Sequence, residues 1–131
     1  PSKTIEDIKK EVLDRIASMG GKPCPPTVIG IGLGGGADIA MNLAKKSLLR
    51  PIGEHHKETK IAKIEKEIKE KANELGVGPM GVGGKTTVLD IKLEYANRHP
   101  ASLPLGIIVQ CWCNRRGSVV IKPDGRVVIE N

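Results

Sequence analysis

The spacing of hydrophobic residues changes along the chain and limits it to a mixed fold. Apolar residues recur at helical intervals in three segments, which predicts helices over 4–19, 38–49 and 57–75. Short apolar runs and alternating segments predict strands over Thr27–Ile31, Thr87–Tyr95, Leu105–Trp112 and, as a hairpin, 118–130. This order predicts an α/β fold, a mixed sheet of about five strands with three helices, with α+β as the alternative. It does not match the regular alternation of a Rossmann fold.

The core of this fold has to be aliphatic. The chain has 131 residues, a length that suits one domain over 1–131, and it contains no Phe. Trp112 and Tyr95 are the only aromatic residues of the sequence. Branched aliphatic side chains pack well enough to replace aromatic ones. We therefore expect Ile, Val, Leu and Ala to form the interior.

The net charge is basic, but the sequence lacks the features typical of a nucleic-acid-binding or membrane protein. Lys and Arg number 21 against 15 Asp and Glu, for a formal net charge of +6. Neither stacking aromatic residues nor a nucleic-acid-binding motif is visible, and no apolar run approaches the ~20 residues that cross a bilayer. A solvated basic surface or a small dianionic substrate explains the charge. Three cysteines without a secretory signal favour a reducing, cytoplasmic location.

Two glycine clusters are similar to nucleotide-binding loops, but each fails a second requirement. Gly30–Gly35 matches the dinucleotide pattern G-x-G-x-x-G, yet no strand carrying an acid at its tip follows the next helix. Gly84-Lys85-Thr86 is similar to the end of a P-loop, but the required first glycine is replaced by Pro79 and an alternating strand follows. The sequence therefore does not predict a nucleotide site.

The residues best suited to chemistry are the cysteines and one histidine. Cys24 stands among three prolines, where a metal ligand and a structural turn are equally reasonable interpretations. Cys111 and Cys113 face the same way only if their strand continues without a bend. His99 lies in a loop between two strands that prolines hold on both sides, where functional residues concentrate.

These motifs together resemble the class I fumarate hydratase family, the iron–sulfur hydro-lyases that include the L(+)-tartrate dehydratases. The resemblance covers nearly the whole chain and is carried by five segments: Gly21–Pro26, the Gly30–Gly36 cluster, Gly76–Gly84, His99–Pro104 and Gln110-Cys111-Trp112. It implies a 4Fe–4S cluster held by three cysteines, of which Cys24 and Cys111 would be two. The third ligand would lie outside this chain, and Cys113 would not be a ligand.

The same resemblance implies a function and a set of partners. His99 would bind a substrate carboxylate or assist proton transfer, and the glycines would let the backbone approach the cluster and the substrate. The chain would be the C-terminal portion of an α subunit whose upstream part is missing, acting with a β subunit in an oligomer and inactive alone. The implied reaction is reversible hydration of fumarate to malate; L(+)-tartrate dehydration is the close alternative. A non-catalytic structural or interaction fragment without a cluster is the alternative of another class.

Overall fold

The computed structural model describes residues 4–114 and 117–130. Three helices are present: α1 (Ile5–Met19), α2 (Ala37–Ser47) and α3 (Thr59–Glu74). Five strands accompany them: β1 (Thr27–Leu33), β2 (Val88–Tyr95), β3 (Leu105–Gln110), β4 (Ser118–Ile121) and β5 (Val127–Glu130). The predicted three helices and about five strands are confirmed, with boundaries that differ by a few residues at most.

The five strands form two sheets, whereas the sequence predicted one. A three-stranded sheet has the order β2-β1-β3, with β1 parallel to β2 and antiparallel to β3. The second sheet is the separate antiparallel hairpin of β4 and β5. The resulting class is α+β and not Rossmann-like, because β3 reverses direction at one edge of the sheet and the hairpin stands apart.

Helices cover both faces of the three-stranded sheet. The core on one face contains side chains of α1, α3 and the strands, among them Val12, Ile68 and Ile31, each with no exposed surface. On the other face, α2 packs against all three strands. The expected aliphatic core is confirmed, since every member of this cluster is Ile, Val, Leu or Ala. Within the described residues, no helix is both long and apolar enough to cross a membrane.

The start of α1 shows how local sequence fixes an element. Thr4 is the N-cap residue; its side-chain oxygen accepts a hydrogen bond from the Asp7 amide, and the Asp7 carboxylate accepts one from the Thr4 amide. This capping box satisfies two backbone donors that a helix leaves without partners. The predicted box is confirmed, with Asp in the position that Glu usually occupies.

The polar face of β2 is buried, which the alternating sequence did not indicate. Asp90 and Lys92 both have no exposed surface, and their charged atoms lie 2.8 Å apart. Lys92 also donates hydrogen bonds to the carbonyls of Pro51 and Glu54. The prediction of a half-buried strand was wrong here, because α2 and the segment after it cover this face.

Strand β3 also differs from its prediction. It was expected to be an interior strand over Leu105–Trp112, but it forms an edge of its sheet and ends at Gln110. A short 3-10 turn, Trp112–Asn114, follows. Its apolar residues are half-buried because helices lie over the strand, while none of the described strands pairs with its outer edge.

Candidate metal centre

Two of the predicted site residues meet at one end of the three-stranded sheet. Cys24 precedes β1 and Cys111 follows β3, and these two strands run antiparallel with Val28 opposite Gln110. The end of one strand therefore lies beside the start of the other. We call this the cysteine end of the sheet. The Trp112 amide donates a hydrogen bond to the Cys24 carbonyl over 3.3 Å, which joins the two segments directly.

The backbone of Cys24 is held in a conformation that non-glycine residues seldom adopt. Its φ angle is 52°, in the left-handed region. The Cys24 amide donates to the Gly21 carbonyl over 3.1 Å, and its carbonyl accepts from Trp112, so both sides of the residue are fixed. Such a residue costs on the order of 1–3 kcal/mol and is concentrated at functional sites. This geometry favours a site residue over a plain structural turn.

A second strained residue lies against the same loop. Met80, with φ at 54°, is the only other non-glycine residue of the described chain with a positive φ. Its amide donates to the Pro25 carbonyl over 2.8 Å. Sequence reasoning did not select Met80, although it lies inside the glycine-rich segment that contributed to the family resemblance. The glycine-rich segment 76–84 therefore borders the cysteine end.

The three thiols interact with one another. The Cys113 amide donates a hydrogen bond to the Cys111 sulfur over 3.5 Å. This bond is the main influence lowering the pKa of the Cys111 thiol below its ordinary value; burial opposes it, and the neighbouring Cys113 and Cys24 thiols lower the pKa further. The pKa of Cys113 is raised, first by its hydrogen bond to Cys111 and then by the negative charge there. The Cys111 thiol therefore ionises at a lower pH than the Cys113 thiol.

The donor set fits a shared thiolate-ligated metal group but does not complete one. Thiolates are the ligands that iron–sulfur clusters require, and Cys24 and Cys111 converge with Cys111 disposed to ionise. Over residues 4–114 and 117–130, no three His, Cys, Asp or Glu side chains form a group that could hold a metal ion. The convergence of Cys24 and Cys111 fits thiolate ligation of a metal group, and the number of ligands that this chain supplies stays a prediction.

His99 lies at the opposite end of the sheet. It belongs to the loop between Tyr95 and Leu105, and both of these residues pair with Leu33, the last residue of β1. Cys24 stands before the first residue of β1, so the seven-residue length of that strand separates the two sites by roughly 20 Å. One copy of this chain does not bring His99 to the thiols.

The loop around His99 is ordered by its own hydrogen bonds. Arg98 donates from one guanidinium nitrogen to the carbonyls of His99, Pro100 and Ser102 over 2.9–3.3 Å. The Ala101 amide donates to His99 Nδ1 over 3.1 Å. Because Nδ1 accepts, the proton of a neutral ring sits on Nε2. The exposed ring therefore offers an N–H donor suited to a carboxylate. Arg98 was not selected by sequence reasoning, and no local motif distinguished it.

The first glycine cluster has a packing role within this chain. A Cβ on Gly30 would lie 2.3 Å from the Ala44 carbonyl oxygen, and one on Gly32 would lie 1.9 Å from that of Ala40. These two glycines let α2 rest directly on β1. Gly34, at the histidine-loop end, would similarly meet Ala96. The cluster extends away from the cysteine end, and contacts within this chain account for Gly30, Gly32 and Gly34. The expected approach of its glycines to an inorganic cluster stays a prediction.

Comparison with known proteins gives the family. Residues 1–120 match the family described as fumarate hydratase (Fumerase). The chain is similar to a putative L(+)-tartrate dehydratase subunit alpha of Methanocaldococcus jannaschii, with 57% identity over 97% of the chain and 45% of the relative. It is 35% identical to the L(+)-tartrate dehydratase subunit alpha of Escherichia coli K12, over 95% of the chain and 41% of the relative. The chain thus spans less than half the length of these curated relatives. These matches show that the chain belongs to the fumarate hydratase family of hydro-lyases.

Proposed function

We propose that this chain forms part of an iron–sulfur hydro-lyase that acts on a four-carbon dicarboxylate. Fumarate is the preferred substrate. The observation that carries the proposal is the convergence of Cys24 and Cys111 at one end of the sheet, with the backbone of Cys24 held in a strained conformation. Membership in the fumarate hydratase family supports the reaction class. A non-catalytic fragment would not need this strain at a cysteine.

Cys24 and Cys111 would hold a 4Fe–4S cluster together with a third cysteine from outside this chain. The cluster supplies a Lewis-acidic iron that can bind the substrate's hydroxyl and carboxylate oxygens. The part of this chain is to keep two thiolates in place: the Trp112–Cys24 hydrogen bond joins the two loops, and the Cys113 amide stabilises the Cys111 thiolate. Cys113, which is exposed, serves through its backbone and not as a ligand.

His99 would act on the substrate through Nε2, which can donate a hydrogen bond to a carboxylate. Its loop is already ordered by Arg98, so little conformational freedom has to be lost on binding. The separation of His99 from the cysteines means that His99 serves a substrate at the cluster only if another polypeptide chain completes the site. This chain alone would then be inactive.

A second substrate, L(+)-tartrate, is favoured by a specific observation. The relatives described above are L(+)-tartrate dehydratase α subunits, one putatively, and one of them shares 57% of its aligned residues with this chain. The designation of those relatives as α subunits also supports a β subunit as the partner of this chain. Tartrate and malate both carry a hydroxyl beside a carboxylate, so the same ligand groups can bind either.

The test is anaerobic iron–sulfide reconstitution of the full α–β assembly, followed by assays with fumarate and with L(+)-tartrate. We expect Cys24→Ser and Cys111→Ser to abolish both cluster absorbance and activity, and Cys113→Ser, the matched control on the same turn, to keep both. Loss of the cluster in Cys113→Ser alone would contradict the ligand assignment. A wild-type assembly that binds no iron would overturn the proposed function, and activity with tartrate but not fumarate would assign the second substrate.

A further inference from the structure

The Cys113 side chain has no task in the proposed function, although it stands two residues from a proposed cluster ligand. Only its backbone acts there: the Cys113 amide donates a hydrogen bond to the Cys111 sulfur over 3.5 Å. The residue itself is exposed, whereas free cysteines are among the most buried residue types. An exposed cysteine is better explained by its reactivity than by its packing. The chemistry of this thiol is therefore a separate question from cluster ligation.

The turn after β3 brings the backbones of Cys111 and Cys113 within disulfide range. Disulfide-bonded cysteines have Cα atoms about 4.4–6.8 Å apart, with a mode of about 5.5–6 Å. In a strand that continued without a bend, the two Cα atoms would lie about 6.6–6.8 Å apart, at the limit of this range. The strand instead ends at Gln110, and Trp112 begins a 3-10 turn. Helical dihedral angles at Trp112 set the Cα atoms of its two neighbours about 5–5.5 Å apart.

The two side chains also approach each other. The hydrogen bond from the Cys113 amide turns the Cys111 sulfur toward its neighbour, and the two thiols are near enough that each changes the pKa of the other. Both residues belong to one turn, so their approach requires neither another polypeptide chain nor a rearrangement of the sheet. The pair therefore has the placement of two cysteines that can be oxidised to a disulfide.

We propose that Cys113 is a resolving thiol for Cys111, and that the two form a disulfide when hydrogen peroxide reaches the metal-free protein. The Cys111 sulfur attacks one peroxide oxygen, the O–O bond breaks, and the products are a sulfenic acid and water. The Cys113 sulfur then attacks the Cys111 sulfur, and the S–O bond breaks. The departing hydroxyl takes the Cys113 proton and leaves as a second water. The two thiols lose two electrons in total, and one peroxide is reduced to two waters.

This reaction would protect a proposed ligand from permanent damage. A sulfenic acid that meets no second thiol is oxidised further to a sulfinic acid, which cellular thiols do not reduce. A disulfide, in contrast, returns both thiols when a reductant arrives. Cys113 would thus keep Cys111 recoverable while no metal group protects it. The benefit to cluster assembly rests on the proposed function; the disulfide itself does not.

Cys24 is the competing partner for Cys111, and the geometry favours Cys113. The backbone of Cys24 is fixed on both sides, by its hydrogen bonds to Gly21 and Trp112, so its side chain has little freedom to swing toward another thiol. The Cys111 sulfur accepts its backbone hydrogen bond from Cys113. A single residue separates Cys111 from Cys113, which keeps their sulfurs together whatever the two loops do.

Peptide mapping of the metal-free protein after hydrogen peroxide and iodoacetamide tests the pairing. Trypsin leaves Cys111 and Cys113 together in peptide 99–115 and Cys24 in peptide 16–45. In wild type, peptide 99–115 should become lighter by two hydrogen atoms while Cys24 is alkylated, and Cys24→Ser should give the same disulfide. In Cys113→Ser, peptide 99–115 should instead gain two oxygen atoms, the mass of a sulfinic acid. Peptides 16–45 and 99–115 joined in wild type, or a sulfinic acid formed equally fast with and without the Cys113 thiol, would overturn the proposal.

Cluster loading after oxidation tests the protective role. The full α–β assembly is exposed to peroxide, reduced with dithiothreitol and then reconstituted with iron and sulfide. Wild type should regain the cluster absorbance of an unoxidised sample, whereas Cys113→Ser should regain about tenfold less, since its Cys111 has passed to the sulfinic acid. Equal recovery in both proteins, once the disulfide has been mapped, would overturn the protective role alone. An unoxidised wild type that binds no iron would reject the proposed function and leave the mapped disulfide standing.

Discussion

Gly32 should be intolerant of even a methyl group. A Cβ at this position would lie 1.9 Å from the Ala40 carbonyl oxygen and 2.6 Å from the Ala44 amide nitrogen. Both atoms belong to the backbone of α2, so no side-chain rotation relieves the contact. The shorter distance falls about 1.5 Å below ordinary van der Waals contact, and α2 would have to move away from the sheet by a comparable distance.

The cost of Gly32→Ala follows from this displacement. Overpacking a core commonly costs about 1–3 kcal/mol, and a rigid backbone partner places this substitution at the upper end or beyond it. Since domains are stable by only about 5–15 kcal/mol, the change should be evident in urea unfolding followed by circular dichroism. Gly36→Ala is the matched control in the same cluster, because its nearest neighbour is the movable Asp38 side chain and its φ is −91°.

The control should lose less than about 1 kcal/mol, the size of an N-cap effect. A Gly32→Ala protein within about 1 kcal/mol of wild type would refute the packing explanation of the glycine cluster. The glycine would then have to be explained by a ligand that approaches the backbone, as the sequence pattern first suggested.

Three further perturbations test the buried charges and the thiols. Glu65→Gln removes the carboxylate that lies 2.7 Å from Arg50 and leaves Glu94, 3.3 Å from Arg50 Nε, as its charged partner, so the free energy of unfolding should fall by about 1–3 kcal/mol, measured by urea titration. Burial by itself would raise the pKa of Asp90, but hydrogen bonds from Lys92 and a backbone amide bring it below its ordinary value. The stability due to Asp90 should therefore be complete above about pH 5 and be lost as the pH falls below about 4, so the difference in urea midpoint between wild type and Asp90→Asn should shrink there. In the metal-free chain, iodoacetamide should modify Cys111 faster than Cys113 near pH 8, since its thiolate forms at lower pH; mass spectrometry showing the reverse order would contradict the assigned hydrogen bonds.

Local sequence predicted the structure correctly where the residues that determine an element lie within that element. The capping box at Thr4 satisfies donors within four residues, and the apolar stripe of α1 follows helical periodicity without reference to the rest of the chain. The Lys122–Arg126 turn similarly follows from Pro123, Asp124 and Gly125. These features could be predicted because their determinants are neighbours in the sequence.

The site was only partly predictable for the opposite reason. Cys24 and Cys111 could be selected by residue type and by resemblance, but their adjacency depends on β1 and β3 being antiparallel neighbours. The same topology sends His99 to the other end of the sheet. Met80 joins the site because its backbone meets Pro25, a contact between residues more than fifty positions apart. No periodicity or spacing carries that information.

The amino-acid sequence determined the elements, the aliphatic composition of the core and the candidate ligands, because these depend on side-chain type and local spacing. Only the tertiary structure decided that Asp90 and Lys92 are buried together, that the first glycine cluster accommodates α2, and that β3 is an open edge. Each of these depends on which surface of one element covers another. The packing of the whole domain determines which surfaces meet, and any single segment contributes only a small part of that packing energy.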